Sequence, residues 1–336
     1  MKNVRINDIA RELGLSRNTV SKVLNGKPVP EKTRKLVLAK AAELNYKQLS
    51  SETNKKYNLL LLSGKPLANF SFFVPIIQRL VNACFEKGHQ LFQYVCVDNE
   101  RTRTFLPDYI SGLKIDGIIC IEMFSISLIQ AILGFNIPTV FLDGSINVYM
   151  DGVYDTVIQD NYTPIKQEMT RLINAGIKSF GFVGDARHCL SFRERYEAML
   201  ITTGKHDITH HSSMDFIYDD DSPVFHNTNL MVREIKRKKQ LCSCYICAND
   251  SNASFFINAL EAAGYKCPKD IKIIGFDNSQ DRLSKHPYLT TVPLDAGELV
   301  DALLHTLLLR IKNPTRNKLK ITIKTSLIES ESTKID

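Results

Sequence analysis

The chain has 336 residues and a mass of 38.1 kDa, and 44% of its residues are hydrophobic and 24% charged. It is too long for a single small module and too apolar for a disordered chain, so we expect two or three packed domains. The net charge is +7, and residues 1–56 hold 13 of the 43 Lys and Arg residues but only 5 of the 36 Asp and Glu residues. A basic amino-terminal module on a near-neutral body indicates that this module contacts a polyanion.

The first residues and the cysteine usage both favour a cytoplasmic protein. Arg5, Asp8 and Arg11 interrupt the stretch where an export signal needs an unbroken apolar run. No later apolar run approaches the ~18 residues of a membrane span. Eight cysteines at irregular spacing in a chain of this length do not resemble a disulfide framework. We therefore expect no membrane insertion and a reducing compartment.

One cysteine cluster raises the question of a metal. Cys242, Cys244 and Cys247 form the segment CSCYIC. A fourth ligand at the usual spacing is absent, and the segment has the apolar character of a buried strand. We expect no metal and no cofactor, with a metal at this cluster as the alternative.

Two short helical patterns separated by a tight turn lie near the start of the chain. Apolar residues recur at helical spacing from Ile6 to Leu13, which predicts a short amphipathic helix. Gly14 ends that helix, and Ser16 is placed to cap a second one. The pattern predicts a helix-turn-helix, although an ordinary helical hairpin has the same periodicity. The open side of the second helix carries residues that can all hydrogen-bond: Arg17, Asn18, Ser21, Lys22 and Asn25.

A third helix is predicted over about residues 31–45. Val37, Ala41 and Leu44 recur there at helical spacing and would complete a three-helix core. The backbone N–H groups of its first turn, together with Thr33 and Arg34, make a natural phosphate-binding position.

The segment from Val4 to Asn25, VRINDIARELGLSRNTVSKVLN, closely resembles the DNA-binding headpiece of the LacI/GalR family of bacterial transcription repressors. The residues that occupy family positions are Asp8, Ala10, Gly14, Ser16, Thr19, Val20, Ser21, Val23, Leu24 and Asn25. The resemblance implies that Arg17 and Asn18 reach base edges in the major groove, with Lys22 one turn further along. It also implies a set of phosphate contacts, which are made by Ser16, Thr19, Ser21, Asn25, Thr33 and Arg34.

The chemistry of these side chains agrees with that role. Arg or Lys suits the O6 and N7 atoms of guanine, and Asn suits N6 and N7 of adenine. Lys22 stands where the family usually has Arg, so the two-pronged contact is lost and we expect less strict reading of guanine there.

The predicted linker, residues 47–56, departs from the family pattern. The family usually has a hinge helix here that places a Leu in the minor groove. Gln48, Glu52 and Lys55 occupy the positions of the usual Pro, Ala and Leu, and Leu49 is the remaining apolar candidate for insertion. We expect a flexible linker in the absence of DNA.

From Tyr57 onward short apolar runs alternate with amphipathic helical stretches. This alternation predicts an α/β architecture with parallel sheets and helices on both faces. The predicted strands are 58–62, 91–95, 117–121, 139–142, 180–183, 245–248 and 271–275, and the clearest helices are 74–87, 162–175, 252–263 and 296–311.

The resemblance continues through this body to about residue 330, and it is to a two-lobed effector domain like that of periplasmic sugar-binding proteins. The segments that carry it include SFRER at 191–195, CAND at 247–250 and IIGFDN at 273–278. It implies a headpiece at 1–46, a first lobe at 57–160 and 294–318, and a second lobe at 161–292 and 320–330. The implied crossings between lobes lie near Asp160-Asn161, Val292-Pro293 and Lys318–Lys320.

Ligands of such folds bind between the lobes, at the carboxyl ends of the strands. Several residues follow predicted strands or begin the next helix, and these are the candidate effector-binding residues: Phe72, Phe73, Asp143, Arg195, Asn249 and Asp250. The two Phe side chains could instead be core aromatics, and Asp250 could be a helix cap. Asp277 is a weaker candidate for the same site.

The function implied is that of a sequence-specific transcriptional repressor without enzymatic activity. It would bind a pseudo-palindromic operator in double-stranded DNA as a homodimer, with affinity controlled by a small sugar-like or nucleoside-like effector. The carboxyl-terminal LIESESTKID lacks the heptads of a tetramerising tail, so we expect a dimer. The alternatives are control by a phosphorylated protein corepressor and a pure sugar-binding protein.

Overall fold

The computed structural model describes residues 4–24, 27–44, 46, 55–66, 72–97, 100–147, 151–279 and 284–335, with the backbone alone for 42 and 100–104. The chain divides into two compact units. The first contains the described part of residues 1–57 together with 86–89, and the second contains the rest.

The first unit contains three helices around a small apolar core. They are α1 (Ile6–Leu13), α2 (Arg17–Leu24) and α3 (Glu31–Glu43). Ile9, Val20 and Val37 are fully buried between them. Gly14 ends α1 with a left-handed φ of 62°, which glycine adopts without steric cost. The helix-turn-helix predicted from the sequence is therefore confirmed, and the third helix ends two residues before its predicted end.

Side-chain caps fix the starts of the first two helices. The hydroxyl of Ser16 accepts the backbone N–H of Thr19 at 3.0 Å, as its position before α2 predicts. Arg5 stands before α1 and has no side-chain acceptor, and its backbone N–H instead donates to the carboxylate of Asp8 at 2.8 Å. The Asp8 carboxylate also favours this helix end electrostatically.

The first lobe of the second unit is built on a six-stranded parallel sheet with the order β2-β1-β3-β4-β5-β9. Leu59 to Leu62 in β1 are completely buried, as expected for a parallel strand covered on both faces. The strands are β1 (Asn58–Ser63), β2 (Gln90–Val95), β3 (Gly117–Ile121), β4 (Thr139–Leu142), β5 (Asp155–Gln159) and β9 (Lys320–Ile323). The helices of this lobe are α4 (Phe73–Glu86), α5 (Glu100–Leu113), α6 (Ile126–Leu133) and α11 (Ala296–Lys312).

The second lobe has a smaller parallel sheet with the order β6-β7-β8. One apolar cluster lies on each face of it, around Phe182 and Met199 on one side and Tyr245 and Phe256 on the other. Its strands are β6 (Phe180–Val183), β7 (Cys244–Cys247) and β8 (Lys272–Ile274). Its helices are α7 (Thr163–Asn174), α8 (Leu190–Lys205), α9 (Thr228–Arg237) and α10 (Asp250–Ala263).

The sequence predicted the α/β class correctly, and each of its seven predicted strands is present with ends within one residue. Strands β5 and β9 were not predicted. Because β9 pairs in parallel with β5, residues 320–323 belong to the first lobe. The crossing predicted at Lys318–Lys320 therefore lies after residue 323, and of the segment 320–330 assigned to the second lobe, residues 320–323 belong to the first. The chain returns to the second lobe after β9, where Ile328 pairs with Thr291.

Residues 328–335, the carboxyl-terminal strap, pack on the second lobe. A short 3-10 helix, Glu331–Thr333, follows the bridge at Ile328. The hydroxyl of Ser332, which is fully buried, donates to the carbonyl of Ile273 at 2.6 Å and accepts the N–H of Thr290 at 2.8 Å. This segment therefore completes the second lobe.

Membrane spans and metal-binding clusters are both absent from the described ranges. No helix there is long and apolar enough to cross a membrane. No group of three or more His, Cys, Asp or Glu side chains there could hold a metal ion. Cys242, Cys244 and Cys247 are buried, and burial raises the pKa of each thiol.

Candidate functional site

One side of α2 is polar and open to solvent. Arg17, Asn18 and Lys22 are exposed, whereas Val20 and Val23 on the opposite side are buried. The side chains that could contact DNA therefore stand on a helix whose own position is fixed by the apolar core beneath it.

The remaining predicted DNA contacts surround this surface. Ser16 is exposed and is already used as the cap of α2, whereas Thr19 and Ser21 are half-buried. Thr33 and Arg34 are half-buried in the first turn of α3, and Arg34 donates to the carbonyl of Lys27 at 3.0 Å. This hydrogen bond of Arg34 fixes the segment that precedes α3. Asn25 and linker residues 47–54 lie outside the described residues.

A cavity of about 200 Å³ lies between the two lobes, at the carboxyl ends of the parallel strands. This is the position expected for a ligand in an open α/β fold. Its lining comes from the first lobe, from the second lobe and from the segment before α11. Those residues include Lys65, Phe72, Phe73, Glu122, Phe124, Asp143, Gln159, His188, Cys189, Phe192, Arg195, Asp220, Asn249, Asp277, Ser279 and Leu294.

Three carboxylates of the lining stand at backbone positions that side chains rarely adopt. Glu122, Asp143 and Asp277 have φ values of 56°, 64° and 104°. Each follows a strand: Glu122 comes directly after β3, Asp143 directly after β4, and Asp277 lies beyond β8. Positive φ at non-glycine residues concentrates at functional sites because the surrounding structure must enforce it.

Asp143 connects the two lobes at the start of α8. Its Oδ1 accepts the N–H of Gly144 at 2.7 Å and the N–H of Ser191 at 3.1 Å. The backbone N–H of Leu190 also donates to the carbonyl of Gly144 at 2.9 Å. Burial raises the pKa of Asp143, and hydrogen bonds from Ser191 and Gly144 act in the opposite direction.

Arg195 on α8 lies at the floor of the cavity and is 4% exposed. Its Nε donates to Oδ1 of Asn161 at 2.9 Å, and Nη1 donates to the carbonyl of Ala248. Its guanidinium carbon lies 3.5 Å from the centre of the Phe276 ring. Planar stacking and a fixed fork of donors are properties of Arg that Lys does not share.

Asp277 lies opposite, with Oδ1 3.7 Å from Nη2 of Arg195. Burial raises the pKa of Asp277 well above its usual range. The charge of Arg195 opposes this shift, and the nearby carboxylates of Asp250, Asp143 and Glu122 add to it. The residue that the sequence ranked as a weaker candidate therefore lies in the cavity wall.

The aromatic candidates supply apolar faces. Phe72 and Phe73 both line the cavity, with their ring centres 4.7 Å apart in an edge-to-face arrangement. Phe124 and Phe192 add further rings to the lining. Such faces suit the apolar side of a sugar ring or a flat base.

Asn249 lines the cavity, and its Oδ1 caps α10 by accepting the N–H of Asn252 at 2.8 Å. Asp250 follows it at the start of α10, between the lining residues Asn249 and Ser251, and it stays a candidate effector-binding residue. Its Oδ2 accepts the N–H of Ser279 at 2.9 Å and its Oδ1 accepts the hydroxyl of Thr291 at 2.7 Å. Asp250 is 1% exposed and holds the chain segment behind the wall.

Two ion pairs that the sequence analysis missed join the lobes across the cavity. Nζ of Lys65 lies 3.5 Å from Oδ2 of Asp220, and Nε2 of His188 lies 3.9 Å from Oε2 of Glu122. The His188 ring also packs against Phe124 at 5.2 Å between centres. Glu122 and Lys65 follow strands β3 and β1, and this position was the available signal for them.

Burial opposes protonation of His188, but its neighbours outweigh that effect. The nearby carboxylates of Glu122 and Asp220 raise the pKa of His188 above its ordinary value, with the charge of Lys65 opposing them.

Two family models match the chain. Residues 5–48 match the model described as bacterial regulatory proteins, lacI family, and residues 169–333 match a periplasmic binding protein-like domain. The chain belongs to the LacI/GalR family of bacterial transcriptional regulators. Relatives within this group include the HTH-type transcriptional repressor PurR of Actinobacillus pleuropneumoniae, 28% identical over 91% of both chains. PurR of Pasteurella multocida is 26% identical over 98% of both chains.

Solved structures of transcriptional regulators share the fold over nearly the whole chain. The transcriptional regulator CelR in its cellobiose complex has a TM-score of 0.72 and 20% identity, covering 98% of this chain and 99% of that one. A lac repressor dimer bound to operator and the anti-inducer ONPF has a TM-score of 0.68 and 22% identity, covering 99% of both chains.

Proposed function

We propose that this LacI/GalR family member is a sequence-specific DNA-binding repressor whose operator affinity is controlled by a small polar effector in the inter-lobe cavity. The observation that carries the proposal is the exposed surface formed by Arg17, Asn18 and Lys22 on α2, a helix whose opposite side is buried. The same chain has a cavity between two lobes, lined by charged, polar and aromatic side chains. The PurR relatives are named as repressors, and the CelR structure holds cellobiose. No chemical step is required of the cavity, and the protein would act in the cytoplasm, where the DNA is.

In this proposal the α2 side chains recognise the bases, and the residues around them contact phosphates and fix the position of the headpiece along the DNA. Arg17 and Asn18 read base edges, and Ser16, Thr19, Ser21, Asn25, Thr33 and Arg34 bind phosphates. The effector-binding candidates that would contact the ligand are Phe72, Phe73, Asp143, Arg195, Asn249 and Asp250, with Asp277 added to them.

The effector would act by its different affinity for two lobe arrangements. Residues from both lobes meet in the cavity, so a ligand that fits one arrangement better shifts the population toward it. By thermodynamic linkage, operator DNA must then change the affinity for the ligand by the same factor.

A homodimer would supply two headpieces for a two-fold operator. Val74, Val81 and Phe85 form an exposed apolar stripe on α4, and Phe85 is 82% exposed. We propose that a second copy of the chain covers this stripe. Light scattering should give a dimer for the wild type and a monomer for Phe85→Glu, and a stable tetramer would contradict the proposal.

The deciding experiment selects bound duplexes from a random pool with the purified full-length protein. We expect a two-fold symmetric site for the wild type, and relaxed preference at one position per half-site for Arg17→Ala and for Asn18→Ala. Arg11→Ala, which changes an exposed Arg of α1, is the matched control and should keep the wild-type preference. Enrichment of no sequence by the wild type at moderate salt would overturn the proposal.

A further inference from the structure

The charges around the inter-lobe cavity are balanced within the chain itself. Among the described residues of its lining, the cationic side chains are Lys65, His188 and Arg195. Each has a lining carboxylate within 4 Å: Asp220 at 3.5 Å from Lys65, Glu122 at 3.9 Å from His188 and Asp277 at 3.7 Å from Arg195. Asp143 adds a fourth carboxylate. The described lining of the cavity therefore carries more carboxyl groups than cationic side chains.

Among these cations, Arg195 already donates hydrogen bonds to other groups of its own chain. Arg195 donates to Asn161 and to the carbonyl of Ala248, and its plane stacks on Phe276. The pairs Lys65–Asp220 and His188–Glu122 each join one lobe to the other. When the lobes close, each carboxylate is therefore brought next to its cation at the cavity.

This arrangement has a consequence for ligand charge. A phosphate or carboxylate removed from water requires a cation that compensates it. Here an anionic ligand would have to displace a carboxylate of the chain from each cation that it approaches, and the displaced carboxylate would remain in the same small cavity. A ligand that donates hydrogen bonds meets acceptors instead, because Glu122, Asp143 and Asp277 accept.

We infer that Asp220 and Glu122 are specificity-determining residues that make the cavity select against anionic ligands, because they neutralise Lys65 and His188. The effector is a compact molecule rich in hydrogen-bond donors, with neither phosphate nor carboxylate. The four Phe side chains of the lining pack against its ring. This inference deepens the proposed function, on which it rests for the regulatory role of the ligand.

The rate at which the Cys189 thiol is alkylated measures whether a ligand occupies this cavity. Its thiol lines the cavity and the residue is 3% exposed, so alkylation requires the lobes to open. Cys267, a half-buried residue of the second lobe outside the cavity, is the internal reference. The alkylation rates of both thiols by N-ethylmaleimide are followed by peptide mass spectrometry on the full-length protein, with DNA absent.

The probes are matched sets that differ in charge: glucose, glucosamine, gluconate and glucose 6-phosphate; ribose and ribose 5-phosphate; adenosine and adenosine 5′-monophosphate. We expect at least one uncharged or amino compound to slow alkylation of Cys189 and to leave Cys267 unchanged. Its phosphorylated or carboxylated counterpart should not protect Cys189 at the same concentration.

The Asp220→Asn variant tests whether removing the carboxylate that pairs with Lys65 allows an anionic ligand to bind. Releasing Lys65 should let the phosphorylated counterpart protect Cys189 at a concentration roughly tenfold lower than for the wild type. Protection by the uncharged parent should change less than twofold. Asp219→Asn removes the adjacent carboxylate, which pairs with Arg187 outside the cavity, and should behave as the wild type.

Three results would overturn the inference: protection of the wild type by an anionic member at or below the concentration of its parent, no protection by any uncharged or amino member, or equal behaviour of the two variants. Because the readout uses no DNA, these results are distinct from failure of the operator selection, which would overturn the regulatory role alone.

Discussion

Arg310 and Asp155 form a two-pronged ion pair in the interior of the first lobe. Nε and Nη2 of Arg310 donate to Oδ2 and Oδ1 of Asp155 at 2.7 and 2.9 Å, and the two side chains are 3% and 1% exposed. The N–H of Leu319 also donates to Asp155 at 2.8 Å, and Arg310 donates to the carbonyl of Asn317 at 2.9 Å. The pair therefore joins β5, α11 and the segment that leads into β9.

Removing one member of this pair should destabilise the protein strongly, because the other charge is left buried. We expect Asp155→Ala and Arg310→Met each to lower the free energy of unfolding by about 3–5 kcal/mol. The double variant should lose less than the sum of the two, by at least about 1 kcal/mol. Urea unfolding followed by circular dichroism measures all three. Additive losses would mean that the two side chains do not act as a pair.

The same pair explains why β5 could not be predicted from the sequence. The strand β5, DTVIQ, begins with Asp155, and an Asp before an apolar run is a sequence pattern typical of a turn or of the start of a helix. Its burial depends on Arg310, a residue distant along the chain. In β9, KITI is half exposed at the sheet edge, so its apolar signal is weak. The central strands were predictable because continuous apolar runs report burial on both faces.

The candidate site was predictable to the extent that it follows strand ends. Asp143 and Asn249 were found in this way, and both line the cavity. His188 precedes α8 in a loop, and its partner Glu122 belongs to the other lobe, so no local pattern marks the pair. Asp250 satisfies the same local pattern, and its carboxylate oxygens accept hydrogen bonds from Ser279 and Thr291, which are distant along the chain and could not be read from that pattern.

The α2 helix gives a prediction about operator reading. Lys22 is exposed on the α2 surface and carries a single ammonium group. Lys22→Arg would restore a fork that can bind O6 and N7 of one guanine together. We expect this variant to sharpen the guanine preference at a single position per half-site by about 1–3 kcal/mol. Selection from a random duplex pool, scored position by position, measures the change.

Lys27→Arg is the control for that variant, since Lys27 is exposed but lies beyond the end of α2. It should leave every base preference unchanged. Sharpening at several positions, or in both variants equally, would show a general gain in DNA affinity rather than a base contact of residue 22.

The carboxyl-terminal strap gives a prediction about stability. Ser332 is fully buried and its hydroxyl is used both as donor and as acceptor. Ser332→Ala leaves the carbonyl of Ile273 and the N–H of Thr290 without this partner, and should lower the free energy of unfolding by about 1–3 kcal/mol. The adjacent Glu331→Ala changes an exposed residue and should stay within about 0.5 kcal/mol of the wild type. Equal urea midpoints for the two variants would contradict a structural role of the strap.

His188 gives a prediction about pH. Its neighbours raise its pKa in the folded protein above that in the unfolded chain, so folding favours the protonated form. The resulting stabilisation is fully present below about pH 6.5 and is lost as the pH rises through the raised value. His188→Gln should therefore be destabilised by about 1 kcal/mol at pH 5.5 and much less at pH 8.5. Urea unfolding of both proteins at the two pH values gives the difference.

Two controls assign this pH dependence to the pair that spans the lobes. Glu122→Gln keeps the shape of the acceptor but removes its charge, so it should reduce the pH-dependent difference between His188 and His188→Gln proteins. His211→Gln alters an exposed His of the same lobe and should show no such dependence. If the dependence survives in the Glu122→Gln background, then Asp220 rather than Glu122 is the main partner of the imidazolium. Because Asp220 lies on the same lobe as His188, the pair would then contribute to the second lobe and not to closure of the cavity.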